Sequence, residues 1–319
     1  MADSASREPI DAILQKVLEA VPFKLTVEGG VDEARQRLRE LPRRPLHPDM
    51  RVEDHVIDGP EGPISIRVYW PDTGADGPFP VTVFFHGGGF AVGDLDTHDV
   101  TAREHAAGAD TVVVSVDYRL APENPYPAAV EDAWAATRWV AENAGRFGAD
   151  GSRLAVAGDS AGGNLATVVS HLARDNGGPK VSFQLLWYPA TMWDSSLPSY
   201  AQNAQAPMLD QTAMEAFTTW YAGHVDLENP PATLAPGRAA DVSGLPPTYI
   251  AVAEHDPLRD DGIHYAERLT QAGVPVELHN AKTLIHGYLG YAGVVPAATD
   301  AAERGLAALR AALHGERDQ

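Results

Sequence analysis

The sequence predicts an α/β fold, a mostly parallel sheet with helices on both faces, and three observations predict it. Short apolar runs rich in β-branched residues recur from Phe79 onward. Helical periodicity fills the gaps between most of them. Two glycine-bearing motifs stand directly behind two of these runs. Strands that are apolar throughout, rather than alternating, are buried on both sides, as in parallel sheets joined by crossover helices.

The elements follow in chain order. Ile10, Ile13, Leu14, Val17, Leu18 and Val21 recur with the spacing of one face of an amphipathic helix. Residues 32–41 read as a second, highly charged helix closed by Pro42 and Pro45. Residues 51–58 and 64–70 alternate around Gly59-Pro60-Glu61-Gly62-Pro63, which predicts an antiparallel pair joined by a turn. The apolar runs at 81–85, 111–116, 154–157, 183–187, 248–252 and 276–278 are the expected buried strands. Helices are expected at 97–107, 127–147, 161–174, 262–271 and 298–313. The stretch 193–238 has helical signals (Met214, Phe217, Thr218, Tyr221) and is too long for a simple crossover, so it reads as an insertion. A catalytic domain of 46–190 and 240–319, with a helical cap of 1–45 and 191–239, is the expected organisation.

Composition bounds the function. At about 150 residues per domain, 319 residues allow roughly two domains, or one large one with an insertion. The absence of cysteine excludes a disulfide scaffold, a thiol nucleophile, a zinc-thiolate site and an iron–sulfur cluster. With 24 basic against 44 acidic residues the net charge is −20, which repels phosphate backbones and anionic lipid. Nucleic acid is therefore not an expected partner. No apolar run approaches the 18 or so residues that span a bilayer, so no stable membrane anchor is expected. The first nine residues lack the basic and apolar regions of a signal peptide, which points to a cytoplasmic protein.

Gly158-Asp159-Ser160-Ala161-Gly162 matches G-x-S-x-G, between an expected strand and an expected helix. A serine on such a turn is forced into a strained conformation, and a Cβ on either glycine would clash with a neighbour. Its hydroxyl projects at the helix N-terminus, where the dipole favours developing negative charge. From 29 glycines and 12 serines chance supplies about 0.1 such pentapeptides, so the flanking elements carry the assignment of Ser160 as nucleophile over a capping serine. His86-Gly87-Gly88-Gly89 is rarer, about 0.01 by chance, and follows the strand 81–85. Glycines let backbone N–H groups turn inward without a side chain in the way, as a hole for a tetrahedral oxyanion requires. Gly87 and Gly88, with the N–H of Ala161, are the expected donors. Neither G-x-G-x-x-G nor a trailing Gly-Lys-Ser/Thr is present, which argues against phosphate binding. His86 reads as a loop-shaping hydrogen bonder.

A serine hydroxyl needs a histidine to take its proton and a carboxylate to fix that histidine's tautomer. In one known order along the chain, serine comes first, then the acid, then histidine. Asp256 directly follows the strand 248–252 and its flanking Ala253, and is the expected acid. Glu254 is a weaker competitor, and Asp260 and Asp261 read as capping and charge-pairing residues at the next helix. Of four downstream histidines, His264, His279 and His314 fall in or at the end of expected elements. His286, beside Gly287, sits on the loop before the last helix and is the expected base.

Together His86-Gly87-Gly88-Gly89-Phe90, Asp117-Tyr118-Arg119-Leu120-Ala121-Pro122-Glu123, Gly158-Asp159-Ser160-Ala161-Gly162-Gly163, Asp256-Pro257-Leu258-Arg259-Asp260 and His286-Gly287 resemble the hormone-sensitive-lipase-like family of α/β-hydrolase carboxylesterases. The resemblance runs from about residue 50 to 290. It implies an eight-stranded sheet, a triad of Ser160, Asp256 and His286, the Gly87/Gly88/Ala161 hole, and a cap over the site. It also implies hydrolysis of small-molecule carboxylic esters of short or medium acyl chain without cofactor or metal, with a homodimer left open. Phe90, Trp193, Met208, Leu209, Phe217, Trp220 and Tyr221 are candidates to line the substrate pocket, each with ordinary helix packing as the plainer explanation. The run 117–123 is expected to brace loops. The same constellation serves an amidase, lactonase or thioesterase. A non-catalytic receptor of this general fold is disfavoured because such proteins lose the histidine that His286 supplies.

Overall fold

A computed structural model describes residues 7–21, 27–43, 46–72, 74 and 77–315. Residues 1–6, on which the signal-peptide expectation partly rests, and Pro45 lie outside these. The antiparallel pair forms as expected from β1 (Val52–Gly59) and β2 (Gly62–Tyr69), closed by a tight turn. Six strands follow: β3 (Phe79–Phe85), β4 (Val112–Asp117), β5 (Ala149–Asp159), β6 (Val181–Trp187), β7 (Thr248–His255) and β8 (Val276–Ile285). All eight join one sheet in the order β1-β2-β4-β3-β5-β6-β7-β8. Pairing is antiparallel from β1 to β4 and parallel from there to β8. The carboxyl ends of six parallel strands therefore share one edge.

Alternate side chains of each central strand enter two different cores. Val81, Val83 and Phe85 face a layer containing Ala133, Ala136, Leu165, Val169 and Leu269. These belong to α4 (Ala128–Asn143), α5 (Ala161–Asp175) and α8 (Arg259–Gln271). Phe84 faces the opposite layer with Ala102, Ala106 and Leu309. These belong to α3 (Asp99–Ala109) and α9 (Pro296–His314). A sheet buried this way needs strands apolar on both sides, which is why the central runs carry no alternation.

The two N-terminal helices separate. In α1 (Ala12–Ala20), capped by Asp11, Leu14 packs with the α3/α9 layer. In α2 (Gly30–Glu40), Ala34 packs with the other. The insertion between β6 and β7 contains α6 (Pro198–Gln202) and α7 (Gln211–Ala222). No described helix is long and apolar enough to cross a membrane.

Several elements exceed their expected bounds, β5 and β7 among them. The strand expected at 276–278 continues to Ile285, because β8 is an edge strand that admits the polar residues His279, Asn280, Lys282 and Thr283, of which Asn280 and Lys282 reach Glu254 of β7. The helix expected from 262 begins at Arg259. Asp260 and Asp261 do not cap it. Buried Asp261 accepts the N–H groups of Thr191 and Met192 and the hydroxyl of Tyr200. Asp260 pairs with Arg259 and accepts Ser199 N–H. Both carboxylates thus anchor the insertion.

Candidate active site

Ser160 sits between the end of β5 and the first residue of α5, with φ 55° and ψ −115°. A non-glycine residue held there costs of order 1–3 kcal/mol, so its surroundings must fix it. Its N–H donates to Trp187 O at 2.8 Å, and its carbonyl accepts Asn164 N–H at 3.1 Å. The glycines are required by space. A Cβ on Gly162 would lie 1.9 Å from Phe85 O, and one on Gly158 would lie 2.3 Å from Gly162 O.

The structure brings the three expected triad residues together. Ser160 Oγ lies 3.0 Å from His286 Nε2, and His286 Nδ1 lies 2.8 Å from Asp256 Oδ2. Asp256 is fully buried at the end of β7, and its Oδ1 accepts Leu258 N–H at 2.8 Å. With Nδ1–H donating to the carboxylate, Nε2 presents its lone pair to the hydroxyl. Tyr188, whose ring centre is 4.8 Å from that of His286, packs against the imidazole. Gly287, at φ 72°, turns the chain away. Glu254 is instead a hub for Arg7, Arg259, Asn280 and Lys282.

The glycine run needs one correction. The Gly87 N–H donates to Asp159 Oδ1 at 2.9 Å, so it is already committed. The N–H groups of Gly88 and Gly89 donate to no atom among the described residues, and Gly89 replaces Gly87 as a candidate donor beside Gly88 and Ala161. Gly88 has φ 120° and Gly89 φ 58°, and a Cβ would meet Val92 O at 2.2 Å or Phe217 Cγ at 2.4 Å respectively. His86 is the loop-shaper expected: it is fully buried, stacks on Tyr118, and its Nδ1 is 2.8 Å from Gly87 O. Burial pushes His86 and His98 down to about 4, and pushes Asp159 up to about 6.

Ser160 and His286 open onto a cavity of about 1790 Å³, while Asp256 stays buried beyond the imidazole. Phe90, Trp193, Met208, Leu209 and Phe217 line it as expected. Tyr221 and Trp220 do not. Tyr221 stacks behind Phe90 at 3.8 Å, and Trp220 packs edge-on to Phe217. Leu38 and Leu41 of the α2 region, Val100 of α3 and Leu289 line it without having been named from sequence, because their apolar spacing reads as ordinary core. The helix α1 contributes nothing to the wall. In the run 117–123, Arg119 grips Asp132, Glu61 and Glu131, and Glu123 pairs with Arg35 of α2.

A family model described as alpha/beta hydrolase fold matches residues 82–290. The esterase LipI of Mycobacterium tuberculosis is 65% identical over 98% of this chain and 98% of its own. The carboxylesterase NlhH of the same species is 56% identical, with 98% of each chain covered. A solved hyperthermophilic esterase from Pyrobaculum calidifontis superposes with a TM-score of 0.86 at 37% identity, covering 95% of this chain and 99% of that one. On these matches, and on the sheet and motifs described above, the chain belongs to the α/β-hydrolase fold family, of the hormone-sensitive-lipase-like carboxylesterase type.

Proposed function

We propose that this chain hydrolyses small-molecule carboxylic esters of short to medium acyl chain through an acyl-enzyme on Ser160. The observation that carries the reading is the unbroken run of hydrogen bonds from Asp256 through His286 to Ser160, at 2.8 and 3.0 Å. Ser160 Oγ attacks the ester carbonyl as His286 Nε2 takes its proton, and the Asp256 carboxylate stabilises the imidazolium. The carbonyl electrons move onto oxygen, and the N–H groups of Gly88, Gly89 and Ala161 are the proposed donors to that oxyanion. Collapse of the tetrahedral species expels the alcohol, protonated by His286. Water, deprotonated by His286, then releases the acid and restores the hydroxyl. The helix α2 and the segment 191–239 form the proposed cap, and Phe90, Trp193, Met208, Leu209 and Phe217 the acyl wall. The enzyme is read as cytoplasmic and cofactor-free, and a homodimer remains within the proposal.

Ser160→Ala should reduce hydrolysis of p-nitrophenyl butyrate to below about 1% of the parent rate, with the melting temperature retained. Turnover above a few per cent in a folded variant removes Ser160 from its role. Across p-nitrophenyl esters of increasing acyl length, kcat/KM should peak at short to medium chains, and a steady climb to long chains contradicts the enclosed wall.

A further inference from the structure

We propose that Asp159 is the positioning residue of the oxyanion loop, holding the glycine run in the shape that turns the Gly88 N–H toward the substrate carbonyl. The inference rests on the esterase reading above. Asp159 ends β5, immediately before Ser160, and its side chain is not needed by any step of the triad. It is nonetheless only 8% exposed and borders the cavity. Burying a carboxyl is costly unless a hydrogen bond compensates, and the bond it makes is the one from Gly87 N–H at 2.9 Å. The two groups are in van der Waals contact as well. A Cβ on Gly87 would fall 2.3 Å from Asp159 Oδ2 and 2.9 Å from its carbonyl oxygen.

Gly87 is thereby held at both of its polar groups. Asp159 takes the N–H, and the buried ring of His86, with Nδ1 2.8 Å away, takes the C=O. In a planar trans peptide the C=O of Gly87 and the N–H of Gly88 point in opposite directions. Fixing the first therefore aims the second. Glycine left to itself populates many conformations, so the aim of this amide depends on the two clamps. An oxygen suffices for the Asp159 clamp whether the carboxyl is ionised or neutral. This matters because burial raises the group to about 6, and the role does not depend on its charge. The neighbouring His98, with Nε2 3.8 Å from Asp159 Oδ1, lies beside the same oxygen that accepts the Gly87 N–H.

The test compares Asp159→Leu, which removes the acceptor at similar volume, with Asp159→Asn, which keeps an oxygen. Each is assayed for kcat and KM on p-nitrophenyl butyrate. Each is also titrated with a short-chain alkyl trifluoromethyl ketone, whose serine adduct carries an oxyanion and so reports the hole directly. Loss of a whole donor is worth about 10²–10³ in rate, so a misaimed one should lower kcat by about 10- to 100-fold in Asp159→Leu. KM should stay within about threefold, ketone affinity should fall in step with kcat, and Asp159→Asn should recover most of both. If Asp159→Leu does not fold, Asp159→Ala makes the same comparison. The proposal is overturned by a folded acceptor-less variant with kcat within threefold of wild type, by equal losses in the Leu and Asn variants, or by unchanged ketone affinity. A wild-type protein that neither hydrolyses the ester nor reacts with the ketone overturns the esterase reading instead.

Discussion

Ser160 shows how much a single position depends on others. Its φ of 55° is tolerated because Trp187 and Asn164 hold both sides of its peptide and because Gly158 and Gly162 leave the room. Those dependences are visible in a pentapeptide, so the proposed nucleophile is legible from sequence, and chain order then selects Asp256 and His286 as its proposed partners. The oxyanion donors are less legible. A run of three glycines shows that amides can turn inward but not which of them already has an acceptor, and the commitment of Gly87 to Asp159 links residues 72 positions apart. Buried titratable groups are hidden for the same reason. Glu104 is half-buried on α3, and burial pushes its carboxyl up to about 7 from an ordinary 4.5. A group raised in the folded state favours folding below its unfolded value, and that contribution is lost as pH rises through the folded one. Glu104→Gln should therefore melt close to wild type at pH 4 and progressively above it as pH climbs from 4.5 through 7. Thermal melts at pH 4, 6 and 8 check this, and a constant offset between the proteins contradicts it.

At the level of elements, α2 does more than cover the cavity. Three arginines spaced by four residues, two on α2 and Arg43 just past its end, reach the loop that follows the glycine run. Arg35 Nε donates to Ala91 O at 2.8 Å, Arg39 pairs with Asp94 at 2.8 Å, and Arg43 Nε donates to Thr97 O at 3.1 Å. Arg35 also donates to Ala121 O and holds Glu123 with both terminal nitrogens. From sequence this helix reads as a charged surface segment, because arginine looks the same whether it faces water or a carbonyl. Arg35→Ala leaves two carbonyls unpaired and should cost about 1–2 kcal/mol, a fall of roughly 2–4 °C in melting temperature, together with lower kcat/KM. Arg35→Lys should not restore it, since one ammonium cannot span the same acceptors. Differential scanning calorimetry and ester assays on both variants decide, and full rescue by lysine refutes the forked contact. Edge and centre of the sheet differ in legibility for a similar reason. The buried β3 to β7 announce themselves by composition, whereas the edge strand β8 carries polar residues at five of its ten positions, which break the apolar run.

For the whole molecule, the layered α/β arrangement follows from alternating periods and is legible in the sequence. The shape of the cavity was not, because its walls come from α2, α3, the insertion and the 289 region at once. The net charge of −20 is a global property with a global consequence. Like charges crowd on folding and their repulsion extends over a Debye length, which shrinks from roughly 20 Å at 0.02 M salt to about 4 Å at 0.5 M. The melting temperature should rise over that range of sodium chloride, and a fall would mean that surface pairs such as Arg67–Asp54 outweigh the repulsion.

The hydroxyl and imidazole of the triad are 126 residues apart, and the last of the three arrives only after the final strand. A ribosome-bound or truncated polypeptide ending before His286 carries the oxygen but nothing to deprotonate it. In the proposed mechanism, reactivity is thus withheld until synthesis is nearly finished and the sheet has closed, a safeguard that arises from connectivity alone.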